Sequence, residues 1–140
     1  MSLRNKFTLR KIASAAMDAY AAKLTSMENG TASIYDVYSA ASTAKNRCKD
    51  VQFAMSKINT PDVPKEIRIL LNDVKTDLST GYMVKDEALD SAMKFLDNQK
   101  PSDMQNFKDK IKSSDSFIME AVVKLMQAKE KAGIDIATNQ

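Results

Sequence analysis

The side chains that carry most enzyme and metal chemistry are scarce in this chain. It has no histidine and a single cysteine, Cys48. Without imidazole the commonest general base, a His haem ligand and a His phosphotransfer site are all missing. Zinc draws on Cys and His ligands, and one thiol does not make such a site. Di-iron carboxylate bundles need Glu-x-x-His pairs and inward-facing glutamates. The glutamates here are Glu28, Glu66, Glu87, Glu120 and Glu130, and none falls on a strict seam position of the helical patterns described below. Asp86, Glu87 and Asp90 cluster within one helical stretch, but no acidic Gly-bearing calcium loop follows, so they read as a solvated face. No Gly-rich phosphate loop is present. Ser and Thr hydroxyls are abundant but lack a His partner, which leaves a Ser–Lys pair as the nucleophile arrangement still open. These residues predict a non-catalytic protein without metal or cofactor.

Four groups of residues still invite a functional reading. Lys85 lies on an otherwise apolar stripe. It either snorkels past Gly81 and Tyr82 to solvent, or marks a polar pocket with Asp115, beside Ser114, as its acid. Gly81, Tyr82, Lys85, Ser114 and Asp115 are therefore the candidate pocket, with Gly81 also the candidate kink. Cys48 sits among apolar positions and reads as a small core hydrophobe. Lys45, Arg47 and Lys49 would favour its thiolate, but they point away from the stripe. Arg4, Lys6, Arg10 and Lys11 precede an Ala-rich amphipathic stretch. That makes them either the basic start of an ordinary bundle helix or a peripheral contact for an anionic membrane surface. Met119, Val123 and Met126 form a second apolar stripe on the last helix, turned away from its seam. It is either the edge of a wide core face, covered by the tail at Ile134 and Ile136, or a contact surface for a second copy or another protein.

The charge is modest, +3 formally, but uneven. Residues 1–58 hold nine basic and four acidic side chains; residues 59–140 hold twelve and fourteen, so the halves carry +5 and −2. The basic half suits docking onto the other half or plain solvation. No Lys/Arg block is interleaved with aromatics and Trp is absent, which argues against a nucleic-acid partner.

The elements that must position these residues are helices. The hydrophobic fraction is 44%, with 3 Gly and 3 Pro in 140 residues, enough apolar material for one domain with few breaks. From Ile34 to Ile58 the apolar residues Ile34, Val37, Ala41, Ala44, Cys48, Val51, Met55 and Ile58 alternate steps of three and four. That is an a/d stripe along one side of a helix, with a small-residue centre that lets a neighbour approach. A first helix runs from about residue 6 to Glu28, its apolar side made by Leu9, Ile12, Ala13, Ala16, Tyr20, Leu24 and Met27. Asn29-Gly30 ends it, and Thr31 or Ser33 caps the next. Asn29-Gly30-Thr31 also matches a glycosylation acceptor, a three-residue pattern that arises by chance. Pro61 and Pro64 separate the second helix from a third over Lys65 to about Asn98. In the third, the stripe Ile67, Leu71, Val74, Leu78 gives way to Tyr82, Leu89 and Leu96, a stutter placed at Gly81. Lys100-Pro101 closes it. Ser102 and Gln105 then read as a capping box for a fourth helix through Met104, Phe107, Ile111, Ser114, Ile118, Ala121, Leu125, Ala128 and Ala132.

Long helices and short connections predict an all-α, antiparallel, up-down-up-down four-helix bundle over residues 1–133, roughly 40 Å long, with a flexible tail at 134–140. The alternative is a three-helix bundle with a separately packed N-terminal helix. No run of 18 apolar residues exists. Met1-Ser2-Leu3 has the look of an expression scar. A native start implies a cytoplasmic protein and a removed leader an extracytoplasmic one. The functional expectation is a protein-binding helical bundle; a secreted or lipid-anchored ligand-sensing bundle and a small nucleic-acid-associated protein are the alternatives.

Overall fold

The computed structural model describes residues 3–57 and 62–133, with side chains from Arg10 onward. Four helices account for nearly all of it: α1 (Leu3–Glu28), α2 (Ile34–Ser56), α3 (Lys65–Asn98) and α4 (Pro101–Lys131). They form an all-α, antiparallel, up-down-up-down bundle, and no strand occurs among the described residues. Backbones pack closely in chain order, α1 on α2, α2 on α3 and, most extensively, α3 on α4. Between α1 and α4 the bundle closes through longer side chains, with the Tyr20 and Phe107 rings edge to face at 5.7 Å.

Local chemistry explains the helix ends. Gly30 takes a left-handed conformation (φ 77°) beyond α1. Its amide donates to the Met27 carbonyl and the Thr31 amide to the Ser26 carbonyl, which ends the helix in a Schellman motif. Of the two cap candidates for α2, Ser33 is used. Its hydroxyl accepts from the Asp36 amide, and the Asp36 carboxylate accepts from the Ser33 amide. The capping box expected at Ser102 and Gln105 does not form. Pro101 starts α4 because its fixed φ suits the first helical position and its missing N–H is one that no helix satisfies. Ser102 is thereby moved inside the helix. The Asn98 side chain staples the tight turn instead, donating to Asp103 and accepting from the Lys100 amide.

The α2 stripe is buried from Val37 through Ala41, Ala44, Cys48 and Val51 to Met55. Ile34, at its start, is exposed, since the first turn overhangs the core. Ile58 lies outside the described residues. On α1, Ala13 and Tyr20 are buried, but Ile12 is exposed: Ala13 and Tyr20 take the inward positions and turn it to the flank. The side chain of Leu9 lies outside the described set, as does the whole tail with Ile134 and Ile136.

The contact face of α3 shifts as the stutter requires, from Ile67, Val74 and Leu78 to Tyr82, Leu89 and Leu96. α3 is helical without interruption through Gly81, over 34 residues. Gly81 is instead where α4 crosses. A Cβ there would lie 2.8 Å from Ile118 Cγ1, 3.2 Å from the Ser114 carbonyl oxygen and 3.3 Å from Phe117 Cβ. The missing side chain makes room for the backbone of a neighbouring helix.

Candidate functional site

Lys85 occupies an inward position of α3, and its side chain is 12% exposed. Its ammonium lies 3.5 Å from Asp115 Oδ1 on α4 and 5.4 Å from the Tyr82 ring centroid. Asp115 itself is 64% exposed, so the pair joins a lysine whose side chain is mostly covered to a carboxylate side chain that is mostly open to solvent. The Tyr82 ring is buried, which raises its hydroxyl pKa; the Arg10 guanidinium, hydrogen-bonded to it, acts in the opposite sense. These groups border a cleft of about 370 Å³. Its walls are Arg10, Lys11 and Ser14 from α1, Tyr82 and Lys85 from α3, and Asp115 and Ile118 from α4.

Of the five residues singled out for a polar pocket, Tyr82, Lys85 and Asp115 line this cleft. Gly81 and Ser114 do not. Gly81 seats the α3–α4 crossing, and the buried Ser114 hydroxyl donates back to the Ile111 carbonyl, as a serine inside a helix does when it has no other partner. The α1 wall was not legible as part of the site. Arg10 and Ser14 share a helix face by their spacing, but only the placement of α1 beside the cleft between α3 and α4 brings them to Lys85.

Lys45 and Glu87 are engaged in holding helices together. Lys45 bridges α2 to α3, 3.0 Å from Asp90 and 3.5 Å from Asp86. Glu87 lies 3.9 Å from Lys110 of α4. Among the described residues no group of three metal-ligating side chains converges. Cys48 is fully buried beneath α1 and α3. Burial pushes its thiol up to about 11, with Lys85 pulling down and Asp86 pushing up more weakly. Arg47 turns to Asp50, 2.6 Å away, and does not activate the thiol.

Met119, Val123 and Met126 all project from the outer side of α4, with exposures of 63%, 46% and 48%. Glu120, Lys124 and Gln127 border the same shallow surface, and Lys124 is anchored to Asp77 at 2.8 Å. A further apolar group lies at the opposite end, where sequence patterning placed Ile34 and Leu96 on core stripes and passed over Tyr35 and Tyr38. There Ile34, Tyr35 and Tyr38 surround a depression floored by Leu96. The signal of the two tyrosines is their spacing, three apart and off the stripe. No described helix is long and apolar enough to cross a membrane.

The fold and these features define an all-α four-helix bundle with a cleft bordered by three cations and, among the described residues, an exposed methionine face. The chain matches no protein-family model, and no curated protein or solved structure matches it.

Proposed function

We propose that this chain is a non-catalytic interaction protein whose contact surface is the outer face of α4. The observation that carries this reading is the exposure of Met119, Val123 and Met126 on a helix whose opposite side already fills the core with Ala121 and Ala128. Three neighbouring apolar side chains left to water favour burial against a partner. Thioethers suit such a face because they repack at little cost. A second copy is the first partner to test. Two α4 helices crossing antiparallel beside Val123 would set Met119 of each against Met126 of the other, a self-complementary arrangement.

The test compares wild type with Val123→Lys by sedimentation, and by capture of partners with each as bait. Val123 is nearly half exposed, so the variant is expected to fold with unchanged helicity. The expected result is loss of a dimer, or loss of a partner that the wild type retains. A monomeric wild type whose captured proteins are the same as those of Val123→Lys would refute the reading.

The second reading is a ligand-sensing bundle. It is supported by the cleft at Lys85, which collects charged and hydroxyl groups from three helices.

A further inference from the structure

We propose that the cleft between α1, α3 and α4 is a binding site for the oxyanion group, carboxylate or phosphate, of a small ligand, with Lys85 at its floor and Arg10 and Lys11 at its rim. Charge around the cleft is unbalanced. Three cations border the cleft and a single carboxylate, Asp115, faces them. Lys85 is the informative one. Its side chain as a whole is 12% exposed, so its charge sits inside the cleft rather than on the open surface, and charges so placed are ordinarily matched by close, enclosed partners. Its acid stands 3.5 Å away and is itself 64% exposed, a long contact to a group that water already serves. The Tyr82 ring face at 5.4 Å adds a weaker attraction and no acceptor lone pair.

An oxyanion placed in the cleft would supply what Lys85 lacks. The Arg10 guanidinium offers a planar fork that fits carboxylate and phosphate oxygens. The Ser14 and Tyr82 hydroxyls add donors whose partners can rearrange. Ile118 and the Tyr82 ring give the remainder of the ligand an apolar wall. A volume of about 370 Å³ lies at the lower end for small-molecule sites, so the ligand is small. Asp115 would act as a competing internal anion, displaced towards solvent when the ligand enters. This cleft is a different surface from the methionine face, and neither depends on the other.

The experiment is a titration of the full chain, followed by backbone NMR, with inorganic phosphate, acetate and citrate at constant ionic strength set with chloride. Vesicles of phosphatidylcholine with and without phosphatidylglycerol form a second arm. The proposal predicts a saturable shift of the Tyr82, Lys85 and Asp115 amides with at least one of the three anions and none with chloride. Lys85→Met should weaken that binding by about tenfold, the loss of one charge-assisted contact. Asp115→Asn, at an exposed position that leaves folding intact, should tighten it by about threefold or more, because the competing carboxylate is gone. Binding to anionic vesicles alone, with the same dependence on Lys85, would identify the oxyanion as a lipid headgroup. No saturable shift in either arm, or binding that ignores both substitutions, would overturn the proposal.

Discussion

Single residues show how far packing modifies simple helical rules. Replacing a helical glycine with alanine ordinarily stabilises by about 0.4–1 kcal/mol. At Gly81 the added methyl would meet Ile118 and the Ser114 carbonyl, and the carbonyl belongs to a backbone that cannot move freely. Gly81→Ala is therefore expected to destabilise by about 1–3 kcal/mol in chemical denaturation, and a stabilised variant would contradict the close crossing. Cys48 should react slowly with thiol reagents in the native state, since its sulfur is enclosed and its thiol raised to about 11. Cys48→Leu should cost about 1–3 kcal/mol by overfilling a seam lined by Ala41 and Ala44. Alkaline pH offers a separate check. Burial raises the Tyr20 hydroxyl from 10.0 to about 12 and the Cys48 thiol from 9.0 to about 11. Both groups ionise more readily unfolded, so each contributes fully below its unfolded value. That contribution is lost as pH rises, between 9 and 11 for Cys48 and between 10 and 12 for Tyr20, on the order of 2–3 kcal/mol apiece. Tyr20→Phe keeps the ring on Phe107 and should flatten the loss of stability between pH 10 and 12. An unchanged profile would count against that assignment.

At the scale of elements, capping and helix crossing decide where each helix begins and what it touches. Ser33 satisfies the first turn of α2 through a reciprocal pair with Asp36. Ser33→Ala should cost about 1 kcal/mol and speed amide exchange in residues 34–37 selectively. If exchange changes equally along α2, the cap is not what holds that end. The α3–α4 pair is fastened along its length, from Lys131 and Glu66 through Lys124 and Asp77 to Lys110 and Glu87. The Lys124–Asp77 pair is the most shielded of the three, whereas Glu66 is largely exposed. Asp77→Asn should therefore destabilise more than Glu66→Gln, whose effect is expected within about 0.5 kcal/mol.

Across the whole molecule the helices are unequally bound. The backbone of α1 packs closely on α2 alone, while α3 packs closely on both α2 and α4. Opening of α1 is thus expected at lower free energy than opening of α3, and its amides should exchange faster than those of residues 78–89. Uniform protection across the bundle would contradict this ranking. The same looseness between α1 and α4 leaves space for the cleft at Lys85, so the weakest seam and the candidate anion site coincide.

Much of this architecture was determined by the sequence itself. The three-four spacing from Val37 to Met55 can bury its side chains only on a helix, and Gly30 and Ser33 end and start helices by local geometry and hydrogen bonding. The tertiary structure alone decided the remainder. Gly81 reads locally as a weak point, and only the approach of Ser114 and Ile118 makes it a crossing. Lys85 and Asp115 were legible as a possible pair, because they sit on two inward-facing helices. Arg10, Lys11 and Ser14 joined them through a third helix far away in the chain. Spacing reports which residues share one helix face; which other helix lies opposite is set by how four such faces minimise exposed apolar surface together.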